Sequence, residues 1–258
     1  MPRARRFQLF VSCLGSYVAL AVTLGALAWQ ALLIEALPVV YLPSWDADAA
    51  PLVVVDAGHG GHDGGAVANG VIEKDLSLNL ARQVKAHLEK AGVRVRMTRE
   101  KDRFLELDER CQVATETKAD AFVSVHLNTS PAKEIQGIET YYATASTLMA
   151  RAVKSAAGAA SDRLSGEALA RTIQRHASTG TKAEDRGIKD SQLIVVMRTP
   201  CPAALVECGF LTHPEEVKKL QQKAYQERLT RGIADGVTEF LKCSVQAHAK
   251  PRMKVAAH

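Results

Sequence analysis

The chain is 258 residues long, 47% hydrophobic, 24% charged and only 5% aromatic. That length supports one sizeable core but not two large domains, the apolar content excludes a disordered chain, and no Gly-X-Y or heptad register points to a fibre. The formal charge of +5 sits at the ends: with Arg3, Arg5 and Arg6 at the start and Lys250, Arg252 and Lys254 in the tail set aside, 27 basic residues face 28 acidic ones, which gives no sign of the basic face a nucleic-acid binder needs.

In chain order, the three arginines precede an uncharged stretch from Phe7 to Ile34. A basic start, an apolar run and the small-x-small site Ala26-Leu27-Ala28 make residues 1–28 a secretory signal. The competing reading is an uncleaved membrane anchor through residues 7–34, since that run exceeds the ~20 residues needed to span a bilayer. Arg5-Arg6 ahead of Leu9 weakly resembles a twin-arginine signal, although Gln8 stands where an apolar residue is usual. Cys13 lies too early in the run for a lipoprotein cysteine. Both readings place the folded part outside the cytoplasm, in the periplasm or cell envelope. Residues 29–51, with three prolines, Asp46 and Asp48 from Leu37 to Pro51, read as a linker.

Leu52-Val53-Val54-Val55 predicts a strand buried on both faces, stopping at Asp56, with a glycine-rich loop after it. Leu76, Leu80, Val84 and Leu88 recur every fourth position and predict a helix ending at Gly92. Val93–Met97 reads as a strand, Leu107–Thr117 as a helix, and Ala121–Val125 as a third strand ending at His126. Strands are expected at Gly137–Tyr142, Leu193–Met197 and Ala204–Glu207, and helices at Ser146–Ala160 and Ser165–Ala177. Pro214 opens a short helix, as proline suits a first helical turn, and Leu229, Ile233, Val237 and Phe240 give a closing helix one apolar face. Residues 244–258 read as a polar, mobile tail. The alternation predicts an α/β single domain over residues 52–243, with a largely parallel twisted sheet flanked by helices.

Chemistry-bearing residues fall where strands end. Asp56-Ala57-Gly58-His59-Gly60-Gly61 follows the first strand, His126 ends the third and Glu207 ends a later one. In open α/β sheets the carboxyl ends of the strands line the ligand crevice. Two histidines and a carboxylate delivered to one edge suit zinc, which accepts such ligands and keeps one position for water at a catalytic site. Glu73, at the start of the helix after the glycine loop, is the third ligand candidate. His62 reads as loop or rim, His87 and His176 as solvated helix residues, His213 as a helix cap, and Glu139 as a structural partner or an exposed face residue. Arg99 and Arg186 suit either a substrate carboxylate or a salt bridge within the fold. Cys111, Cys201, Cys208 and Cys243 lack the paired two-residue spacing of a zinc cluster, and their pairing stays open; Cys111 reads as a buried helix residue.

Several segments occur in a fixed order: Asp56-Ala57-Gly58-His59-Gly60-Gly61, Glu73-Lys74, Ser124-Val125-His126-Leu127-Asn128, Gly137-Ile138-Glu139-Thr140, Asp185-Arg186-Gly187-Ile188-Lys189 and Leu205-Val206-Glu207-Cys208-Gly209-Phe210. Together they resemble the zinc-dependent N-acetylmuramoyl-L-alanine amidases, peptidoglycan hydrolases of phosphorylase/hydrolase-like α/β fold, over residues 52 to 242. The resemblance implies one zinc ion per chain on His59, Glu73 and His126, Glu207 as the catalytic acid/base, and peptidoglycan as the partner, cut at the amide between N-acetylmuramic acid and L-alanine. It leaves any activator protein unidentified. Some members carry a long helical insertion that blocks the metal; Ala143–Leu164 is short here, so an open site is expected. Two alternatives are a catalytically silent wall-binding protein of the same fold and a zinc peptidase acting on the stem peptide. Against the first stands the intact Glu207; against the second, the absence of a His-Glu-x-x-His helix.

Overall fold

The expected valine-rich strand forms as β1 (Leu52–Ala57), two residues longer than its apolar run. This is a computed structural model, and it describes residues 50–144 and 165–249, all within one unit. A hairpin follows, β2 (Val67–Ala68) and β3 (Val71–Ile72), turned by Asn69 and Gly70 at φ 50° and 76°. Then come α1 (Glu73–Lys90), β4 (Arg94–Met97), α2 (Leu107–Thr117), β5 (Ala121–Asn128) and β6 (Ile138–Tyr142). The second half contributes α3 (Gly166–Thr181), β7 (Asp185–Asp190), α4 (Ile194–Met197), β8 (Ala203–Phe210), α5 (Pro214–Leu220) and α6 (Lys223–Ala249). The helix expected at Ser146–Ala160 and the N-terminal signal or anchor lie outside the described residues. Among the described residues no helix is long and apolar enough to cross a membrane.

Six strands form one sheet in the order β4-β1-β5-β8-β6-β7, parallel throughout except where β6 runs antiparallel to β8. Strand alternation sorts the side chains into two layers. Val53, Val55, Ala57, Val123, Val125, Ala204, Val206 and Ile138 enter the larger core, beneath α1, α3 and α6. Val54, Phe122, Ala203 and Leu205 face the other way, into a smaller cluster under α2 and α4. The smaller layer ends short of the carboxyl edge, and there its face turns polar: Asp56, Ser124, His126, Glu139 and Glu207 continue the same alternation. α6 packs closely on α3 because Gly232 and Gly236 carry no side chain; a Cβ at either would lie 2.6–2.8 Å from the backbone of residues 172–177.

One expected strand is corrected. Leu193–Met197 is β-prone by composition, yet it folds as the single helical turn α4. β8 already has β5 and β6 on its two sides, and the run pairs with no strand but buries Val195 and Val196 against the second core layer. Conversely, β7 goes unread in the sequence because Asp-Arg-Gly-Ile-Lys-Asp lacks an apolar alternation. Charged residues of that kind suit an exposed edge strand.

Candidate active site

The loop leaving β1 is held in place from beneath by two buried arginines. Arg110, on α2, donates to Asp56 Oδ1 (2.9 Å) and to the carbonyls of Ala57 (2.7 Å) and His59 (2.8 Å). Arg99, just past β4, donates to the carbonyls of Ala57 (2.9 Å), Gly58 (2.6 Å) and Lys74 (2.8 Å). Asp56 is fully buried; burial opposes its charge, but Arg110, Ser124 and Thr98 outweigh that and hold its carboxyl below the ordinary range. These bonds fix His59 in a left-handed conformation (φ 61°), which costs a non-glycine residue roughly 1–2 kcal/mol.

Three of the residues expected to act together do meet. His59, Glu73 and His126 each offer a ligand atom, and all three atoms lie within 4.8 Å of one another. His59 Nε2 is 3.1 Å from Glu73 Oε2, and His126 Nδ1 is 2.9 Å from Glu73 Oε1. Glu73 opens α1, and its two oxygens also accept the backbone N–H groups of Ala66 (2.8 Å) and Leu127 (3.0 Å). Burial would push this carboxyl up, but the two imidazoles and the Ala66 N–H drive it far below its usual value. His59 donates from Nδ1 to Asp63 Oδ2 (2.8 Å), which sets the ring and aims Nε2 inward. Burial disfavours its charged form; Glu73 and Asp63 prevail and raise its pKa.

Glycine is required at two points around the cluster. A Cβ on Gly58 would stand 2.3 Å from the His126 ring, and one on Gly65 would stand 2.5 Å from both Glu73 Oε2 and the His59 ring. Two imidazoles and a carboxylate converging on a space kept clear of Cβ atoms fit a zinc-type cation by donor chemistry.

Glu207 lies on β8 in register with His126 of β5 on one side and Glu139 of β6 on the other. Its Oε2 is the one buried side-chain polar atom without a hydrogen-bond partner among the described residues. Burial, more than any other influence, pushes its carboxyl up to about 7. Glu139 is the opposite case: its oxygens accept from Asn128 (2.8 Å), Tyr141 (2.6 Å), Arg186 (3.0 Å) and Lys189. Burial opposes its ionisation, but the bonds from Lys189, Tyr141 and Arg186 keep its pKa low. Two neighbouring carboxylates thus occupy opposite environments, one fully bonded and one bare.

The remaining sequence expectations sort cleanly. His213 caps α5, accepting the Glu216 N–H at 3.1 Å. His62 sits on the rim, stacked on Phe104 with ring centroids 4.1 Å apart. His87 and His176, expected in solvent, pair instead with Glu227 and Glu239 of α6. Cys111, Cys201, Cys208 and Cys243 are all free thiols, the first three buried. Sequence reasoning passes over Asp63 and the anchoring role of Arg110. The available signals were an acid four residues after His59, and an arginine beside Cys111 and Ala114 on the buried side of α2.

Fold and site together define an α/β protein with a candidate hydrolytic metal centre at the carboxyl edge of its sheet. A family model described as N-acetylmuramoyl-L-alanine amidase matches residues 53–239. The amidase LytC of Bacillus subtilis (strain 168) is 32% identical over 190 residues, 74% of this chain but only 35% of LytC. The uncharacterized protein YqiI of the same organism is 33% identical over 216 residues, 82% of this chain and 97% of YqiI. The catalytic domain of CwlV, an N-acetylmuramoyl-L-alanine amidase from Bacillus (Paenibacillus) polymyxa var. colistinus, superposes with a TM-score of 0.65 at 35% identity, over 75% of this chain and 99% of that one. The chain belongs to the N-acetylmuramoyl-L-alanine amidase family, enzymes of cell-wall hydrolysis.

Proposed function

We propose that the protein is a zinc-dependent peptidoglycan amidase working outside the cytoplasm, in which His59, Glu73 and His126 hold one zinc ion and Glu207 is the acid/base. The carrying observation is the convergence of the three donor atoms within 4.8 Å, with an unpartnered carboxylate oxygen on the neighbouring strand in register with His126. When bound, zinc supplies a Lewis acid that polarises the scissile carbonyl and makes water acidic enough to attack near neutral pH. The bond broken is the amide between the lactyl group of muramic acid and L-alanine.

Glu207 takes the proton of the attacking water as the C–O bond forms. It then passes that proton to the departing nitrogen as the C–N bond breaks; the new lactyl carboxylic acid gives up its remaining proton to solvent or to the amine, so the products are a carboxylate on the muramic acid and the free amino terminus of L-alanine, protonated at neutral pH. Burial raises the Glu207 carboxyl above the ordinary carboxylate range in the metal-free site, the direction that suits a general base, which works best when its pKa lies near the working pH. Glu73 has the other role: two backbone donors and two imidazoles keep it ionised as a ligand. Asp63 fixes the tautomer of His59, and the Asp56–Arg110 pair holds the loop that carries it.

The test is release of dye-labelled fragments from purified peptidoglycan, with mass spectrometry of the products. Wild type is expected to yield peptides beginning with free L-alanine and to stop when a chelator is added. Glu207→Gln should retain zinc by elemental analysis while turnover falls at least about a hundredfold, the scale of a lost general base. Near-normal turnover in that variant rules out Glu207 as the acid/base.

A further inference from the structure

We propose that Arg186 and Lys189 form a subsite for a free carboxylate on the stem peptide, specifically the α-carboxylate of its second residue. The inference rests on the amidase reading and deepens it. Of the two arginines that the sequence leaves open between substrate and scaffold, Arg99 is spent: it is buried, and its guanidinium holds four backbone carbonyls. Arg186 is not spent. Its Nε bonds Glu139 and its Nη1 reaches Glu184 at a long 3.4 Å, while Nη2 has no partner among the described residues. Lys189 donates to Glu139 and has a side chain 38% exposed, so further N–H groups face outward.

A defect in the strand pairing puts both cations on the site's face. Ile138 pairs with Asp185 and Thr140 with Ile188, so Glu139 alone opposes Arg186 and Gly187. This is a β-bulge, with the extra residue accommodated by Gly187 at φ 75°. In an unbroken strand, residues 186 and 189 would point to opposite faces. The bulge restores Lys189 to the face of Tyr141, Glu139 and Glu207, and both cations lie over aromatic rings, Arg186 over Phe210 (5.1 Å) and Lys189 over Tyr141 (5.6 Å). Two cations thus stand on one buried acid, and among the described residues the exposed Glu184 is the only other acid paired with either.

The spacing matches the substrate. Glu207 lies one strand from Glu139, and β7 one strand further, at about 4.8 Å per step. Arg186 and Lys189 reach back over β6 to Glu139, so their charged ends lie between one and two steps from the acid/base. In the stem peptide L-alanine is followed by glutamate linked through its side chain, which leaves the α-carboxyl free or, in some walls, amidated. From the scissile nitrogen to that carboxyl is about 7 Å, two residues of extended chain. A carboxylate there meets two cations; a carboxamide forfeits the charge-assisted bonds.

The experiment compares two synthetic muramoyl peptides that differ only in carrying glutamate or isoglutamine at the second position, hydrolysed by the zinc-loaded full chain. Wild type is expected to favour the acid at least about tenfold in kcat/KM, expressed mainly in KM. Lys189→Gln and Arg186→Gln should each bring that ratio below threefold, and Arg186→Lys should retain part of it. A second readout is independent of turnover and of the metal: calorimetric binding of the dipeptides L-alanyl-glutamate and L-alanyl-isoglutamine to the zinc-free full chain, where the acid should bind more tightly and Lys189→Gln should abolish the difference. Equal handling of the two peptides by wild type, or a preference untouched in all three variants, overturns the subsite. Failure to hydrolyse either peptide with zinc bound overturns the amidase reading, and the subsite with it.

Discussion

Glu207 and Glu139 are the same residue type on adjacent strands, yet one is bare and the other accepts four hydrogen bonds. A buried carboxyl without donors favours its neutral form. For Glu207 the folded-state pKa of about 7 lies above its ordinary value, so its contribution to stability is fully present below that ordinary value and is lost as pH rises through 7. The metal-free Glu207→Gln variant should therefore have nearly the wild-type Tm at about pH 5 and exceed it by several degrees at about pH 8. Equal midpoints across that range mean that Glu207 is not strained by its site. Such a cost is what the proposed acid/base role of Glu207 entails, since stability is commonly given up at an active site. The sequence marks Glu207 by its place after Ala204-Leu205-Val206; its lack of a partner depends on where Arg186 and Lys189 end up.

At the scale of elements, the site is assembled where three parallel strands stop and one helix begins. β1 delivers His59, β5 delivers His126, β8 carries Glu207, and α1 opens on Glu73. The close approach of these segments is made possible by Gly58, whose missing Cβ leaves room for the His126 ring. Its φ lies outside the left-handed region, so Gly58→Ala acts through the collision alone. Zinc affinity is expected to fall about 10–100-fold, as when a ligand's support is disturbed, with the circular dichroism of the fold retained; unchanged affinity in a zinc titration counts against this packing. Strands β1, β5 and β8 were legible as β-branched apolar runs, and α1 as a four-residue period. β7 and α4 were not, since an edge strand needs no apolar alternation and whether a valine-rich run becomes a strand or a helical turn is decided by what it packs against. The Asn69-Gly70 dipeptide, a hairpin signal, was available and indicates β2 and β3.

For the molecule as a whole, a metal that binds only the folded chain stabilises it by mass action, about 2.7 kcal/mol at a hundred times its Kd. Saturating zinc should raise the wild-type Tm, whereas His126→Ala should show little or no rise; an equal rise in both places the metal elsewhere. By itself the sequence determined the α/β class and the valine-rich strands, because alternation is a local property of the chain, and its chain-order motifs, through the family they resemble, nominated His59, Glu73, His126 and Glu207 as site candidates. Only the tertiary structure decided which acid is left without donors, which arginine is buried as scaffold, and which cations share the site's face. Those outcomes depend on strand order, on a bulge at Gly187 and on burial, each set by segments far apart in the chain.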